Sequence, residues 1–253
     1  MLPANSLADI TQALDQTLGE STTYVSRPVI PINAGLFVAG RPPEPEIEWT
    51  EVTRVQWSKV VGILFCSPAS KLGKDEVLPN LEYFHHRSGL FVDFFCVGYG
   101  AYWPESHTPP ETKVVAEIDN TKWLFSPRDF NATRAELERL ANWTYSGESD
   151  LVLAVARKRE SQPARLDLST AIACNLEEMS RDGAITSARA FFEQIFRFGE
   201  TYSGSDPVFS LSDRMGLKVG SNFLMEAVLG LVPESVRKSY KAAKHFAVRD
   251  ASR

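Results

Sequence analysis

Adjacent histidines, His85 and His86, are the first residues to suggest chemistry, since imidazoles bind metals and move protons near neutral pH. On a helix, neighbouring positions point about 100° apart, so this pair cannot grip one ion as an i, i+4 pair would. With Val77 as the origin of a helical wheel, His85 shares a face with Leu78, Leu81 and Phe84, while His86 points the other way. His85 therefore reads as a hydrogen-bonded core residue or an acid-base group, and His86 as a solvated one. No metal site is expected, and no cofactor. Asp93 is the more unusual residue, because it interrupts the apolar run Leu90 to Val97. A carboxylate buried there must find a partner or line a pocket, and Arg87 is the nearest obvious cation in sequence.

Two further groups could bind a ligand. The polar turn Ser67-Pro68-Ala69-Ser70-Lys71-Leu72-Gly73-Lys74 offers Ser67, Ser70 and Lys71, and the segment after Val97 offers Tyr99, Tyr102 and Trp103 with Gly98 and Gly100 among them. Such aromatics can floor a ring-bearing ligand or pack beneath the loop that follows, in which His107 is a candidate lid acid or base. Neither the turn nor Ser146-Gly147-Glu148-Ser149-Asp150 has the Lys and spacing of a phosphate loop, and the latter lacks the acidic periodicity of a calcium loop. A pocket drawing on Ser67, Ser70, Lys71, Asp93, Tyr99 and His107 would suit a small-molecule hydrolase or transferase.

The elements that must position these groups follow from hydrophobic spacing. Val60 to Cys66, a helical pattern from Val77, and Leu90 to Val97 form a β-α-β unit within about 40 residues, which would put the Ser67–Lys74 turn at the carboxyl edge of a sheet. Asn5 and Ser6 are candidate caps for a first helix carrying Leu7, Ile10, Leu14 and Leu18; Ser126 with Pro127 opens another, along Phe130, Arg134, Leu137 and Leu140. Strands are predicted at residues 113–118, 123–125 and 151–156. Residues 161–169 read as a linker, residues 169–199 as a long helix with a candidate break at Asp182-Gly183, and residues 217–232 as another helix. The expected fold is α/β, a mainly parallel central sheet flanked by helices, with a helical C-terminal extension. Its predicted parts are an N-terminal helix with a Pro-rich lead-in (1–47), an α/β domain (48–160) and a helical region (161–253).

Composition bounds the function. With 253 residues and 43% hydrophobic content the chain can bury a core, and its net charge of -5 gives no strong nucleic-acid signal. Three cysteines, Cys66, Cys96 and Cys174, are too few and too far apart for a disulfide framework; with no signal pattern at the start, a cytoplasmic protein is expected. No apolar run is long enough for a transmembrane segment. The last 20 residues hold Arg237, Lys238, Lys241, Lys244, Arg249 and Arg253 against Glu234 and Asp250. That basic end, with the apolar helix before it, suggests an interaction through Lys238, Lys241 and Lys244, with a partner or with a membrane surface along residues 217–253.

The segment Phe65-Cys66-Ser67-Pro68-Ala69-Ser70-Lys71-Leu72-Gly73-Lys74, followed by a helix with an early Pro79, resembles the active-site region of thioredoxin-like proteins over residues 57 to 98. In that family a strand ends in an aromatic-small-Pro segment, a CxxC motif opens the helix and a proline kinks it. In this alignment Ser70 and Gly73 take the two cysteine positions, and Pro110 is the candidate for the family's cis-proline. The resemblance implies the fold without thiol-disulfide exchange, which needs a thiolate nucleophile and a resolving thiol. The expected function is a non-redox binding or accessory module in an assembly, with a protein partner or a second copy. The alternatives are the enzyme above and a peripheral membrane or effector protein.

Overall fold

The long apolar runs of the sequence lie side by side in one six-stranded sheet. A computed structural model describes residues 2–4, 6–26, 50–55, 57–89, 91–101, 111–202, 218–242 and 247–253. Three strands run parallel: β1 (Leu2–Ala4), β5 (Val92–Val97) and β4 (Ser58–Cys66), with β5 between the other two. On the far side of β4, the strands β9 (Ser149–Arg157), β10 (Arg165–Asn175) and β11 (Val248–Asp250) each pair antiparallel to their neighbour. The order is β1-β5-β4-β9-β10-β11. The expectation of a mainly parallel sheet is therefore wrong, since antiparallel pairings outnumber parallel ones. Its error lies at β9, which is buried on both faces as a parallel central strand would be, yet runs opposite to β4.

The chain between β5 and β9 explains the reversal. Gly98 takes a left-handed φ of +79°, and a Cβ there would lie 2.9 Å from the Ser126 carbonyl oxygen, so this tight exit from β5 needs glycine. It leads into a separate three-stranded antiparallel sheet of β6 (Tyr99–Ala101), β8 (Thr121–Phe125) and β7 (Lys113–Ile118), in the order β6-β8-β7. Helix α3 (Pro127–Leu140) starts at the Ser126 cap, whose hydroxyl accepts the Asp129 amide. The chain then enters β9 at the edge where β4 ends. A further two-stranded sheet pairs β2 (Ser21–Ser26) with β3 (Thr50–Val55).

Helices cover the main sheet. Helix α1 (Leu7–Thr17) is capped by Ser6 and buries Leu7, Ile10 and Leu14, as its spacing predicts; it packs beside β1, β10 and α3. Across the sheet, a π-helical turn (Gly73–Val77) and a 3₁₀ turn (Leu78–Asn80) lead into α2 (Leu81–Arg87), which lies against α5 (Ala188–Tyr202). Phe84 of α2, Phe94 of β5 and Phe192 of α5 meet with ring centroids 4.7 to 6.2 Å apart, and each such buried ring contributes about 2–3 kcal/mol.

The C-terminal third departs most from expectation. Residues 165–175 are strand where a linker and the start of a helix are predicted, and only then come α4 (Leu176–Arg181) and α5. Helix α6 (Lys218–Leu231) packs on β10, and α7 (Glu234–Ala242) follows Pro233. The terminal residues belong to the sheet rather than to a helical extension: β11 pairs with β10, the Asn175 amide donates to the Ala247 carbonyl at 2.7 Å, and the Asn142 amide to that of Ala251 at 3.0 Å. Among the described residues, no helix is long and apolar enough to cross a membrane.

Candidate functional site

Where β4 ends and β9 begins, Cys66 is paired with Ser149. Beyond that edge the Ser67–Lys74 turn, the loop before β9 and the start of α4 enclose a cleft of about 550 Å³, lined by Ser70, Lys71, Leu72, Asp75, Glu76, Gly147, Glu148, Glu177, Ser180 and Arg181. The turn is held by Ser70, whose hydroxyl donates to the Ser67 carbonyl at 2.9 Å and accepts the Gly73 amide at 2.9 Å. Gly73 presses against it: a Cβ there would lie 2.2 Å from the Ser67 carbonyl oxygen and 2.8 Å from Ser70 Oγ. Replacing Gly73 by Ala should therefore cost about 2 kcal/mol, since the clash is with backbone that cannot swing aside. Urea melts would check it; a variant as stable as the parent would mean the turn has room to yield.

The opposite wall is organised by a buried carboxylate. Asp150, 1% exposed, accepts from Trp143 Nε1 at 3.2 Å, the Ser146 amide at 2.9 Å and the Ser146 hydroxyl at 2.8 Å, which fixes the loop that presents Gly147 and Glu148. Burial pushes its carboxyl above the ordinary value, and these hydrogen bonds offset only part of that. Glu177 sits at the first turn of α4, which is capped by Asn175, and accepts both the Ser149 amide at 2.7 Å and the Ser149 hydroxyl at 2.8 Å. Burial raises its carboxyl too, and Glu148 adds repulsion. Glu148 forms a two-point ion pair with Arg181 at 2.9 and 3.2 Å, and Glu76 accepts the first amide of α5, that of Ala188.

This arrangement can bind, and among the described residues it presents no poised nucleophile. Ser149 Oγ lies 3.1 Å from Cys66 Sγ and 2.8 Å from the Glu177 carboxylate, either of which can take its single proton, while the Cys66 thiol donates to the Ser67 carbonyl at 3.8 Å. Burial pushes the Cys66 thiol up to about 11, and it raises Cys96 and Cys174 as well. All three are fully buried free thiols. Ser149 is buried, and neither described histidine, His85 or His86, lines the cleft. Among the described residues no cluster of His, Cys, Asp or Glu is placed to hold a metal.

The structure brings Ser70 and Lys71 together at the cleft, with Ser67 anchoring the turn behind them. Asp93 is elsewhere. It pairs with Val61 of β4, five positions before Cys66 and thus roughly 16 Å from the carboxyl edge. Its cation is Lys59, at 3.2 Å, while Arg87 instead grips Glu193 of α5 with two bonds of 3.0 Å. Tyr99 is buried against Phe125 and donates to the Cys66 carbonyl at 2.9 Å, so it supports the end of β4 from within rather than flooring a pocket. His85 is half-buried beside Trp123, and His86 is exposed next to Glu82. Tyr102, Trp103, His107, Pro110 and Lys244 lie outside the described residues. Lys238 and Lys241 are paired with Glu234 at 3.2 Å and Glu226 at 2.7 Å.

Sequence reasoning missed Glu148, Glu177, Ser180 and Arg181. The signal present was Asn175 followed three residues on by Glu178, a helix start at which Asn175 Oδ1 accepts the Glu178 amide. No protein-family model, no curated protein and no solved structure matches the chain.

Proposed function

We propose that this chain is a thioredoxin-like module that has no thiol-disulfide chemistry and binds a protein partner through the cleft at the carboxyl edge of its sheet. What supports the resemblance is the β-α-β unit of β4, α2 and β5 within residues 57–98, with β4 and β5 parallel. In that alignment Ser70 and Gly73 take the two cysteine positions.

The observation that carries the binding role is the character of the cleft. Small-molecule sites are mostly apolar, with a few polar groups fixing orientation. Here most of the lining is charged or hydroxylic, and the buried thiol beneath it is held protonated. An open cleft rimmed by charged and hydroxylic side chains over their aliphatic stems fits a protein contact.

A photo-crosslinking residue at Ser180, inside the cleft, should yield one discrete protein adduct in extracts of the source cells. The same residue at Arg159, past the other end of β9, should yield none. Equal adducts from both positions, or no adduct together with a metabolite that raises the melting temperature, would replace this reading with non-specific contact or with the enzyme. Independently, the protein should not reduce insulin disulfides, and separate Cys66→Ala, Cys96→Ala and Cys174→Ala variants should keep the Ser180 adduct. A thiol-dependent turnover lost in any folded variant would overturn the non-redox assignment.

A further inference from the structure

We draw no further inference here: the strongest candidate, the acid-lined cleft between the Ser67–Lys74 turn and α4, belongs to the site already described, and with Glu177, Glu148 and Glu76 bonded to Ser149, Arg181 and Ala188, nothing in the structure shows what else would fill it.

Discussion

A chain ending at residue 242 is expected to lose about 2–6 kcal/mol of stability, a large part of what holds an ordinary domain folded. The basic C-terminus reads from sequence as a detachable tail, and removing a tail would leave the melting temperature unchanged. The structure argues the reverse. Ala247 and Ala251 are buried, β11 closes one edge of the main sheet, and the Asn175, Asn142 and Ala251 amides all bond across this segment. Removing the segment leaves the Asn175 amide and the Ala171 carbonyl, both on buried residues, without their partners, at about 1–3 kcal/mol each. Circular dichroism melts would test this, with Lys238→Gln/Lys241→Gln in the full chain as the control. Those two side chains are exposed and make surface ion pairs, each worth at most about 1 kcal/mol, so the control should melt close to the parent. A truncated chain that also melted there would mean that the terminal strand contributes nothing to the fold.

Lys59→Met should be the most damaging single substitution considered, at about 4 kcal/mol, because it leaves a buried carboxylate without its cation. Asp93 and Lys59 have side chains 0% and 1% exposed and lie 3.2 Å apart. Thr17 of α1 donates to the same Asp93 oxygen at 3.2 Å, and Lys59 also donates to the Gly89 carbonyl at 2.8 Å. The other oxygen, Oδ1, has no partner among the described residues, and burial raises the Asp93 carboxyl above 3.8 despite the lysine. A carboxyl raised in the native state binds its proton more tightly there than in the unfolded chain. Its contribution is therefore most favourable at low pH and declines as pH rises through the window between 3.8 and the raised native value. Without Lys59 that window widens upward, so the deficit of Lys59→Met should be full at pH 8 and shrink as the medium is acidified. The double variant Lys59→Met/Asp93→Leu should recover most of the loss, since an apolar pair removes both desolvation costs. Urea titrations at pH 8 and pH 5 would read both effects. A pH-independent deficit, or no recovery in the double variant, would show that packing around Lys59, and not the charge pair, sets its importance.

Local interactions determined what was legible in the sequence. Ser6 and Ser126 cap helices whose apolar spacing is unambiguous, and both helices begin where these caps put them. The runs at Val60, Val92 and Leu151 form buried strands, and the turn after β4 does border a cleft. Their directions were decided elsewhere. An apolar run records that both faces are covered, not which way the strand runs, and the excursion through β6, β7, β8 and α3 returned the chain to the edge at which β4 and β5 end, so that β9 runs back against β4. The segment Leu166 to Met179 is rich in small and apolar residues that suit strand and helix alike, and only pairing with β9 made its first part strand. The same holds for the site. Asp93 announced that it needed a partner, but Lys59, on the neighbouring strand, supplied it rather than Arg87, six residues away in the chain. Ser149 and Glu177 met only because β9, β10 and α4 brought residues 28 positions apart to one edge. Caps and spacing act within a few residues and can be read along the chain, whereas strand direction and charge partners are chosen by whichever packing buries the most apolar surface with its polar groups satisfied.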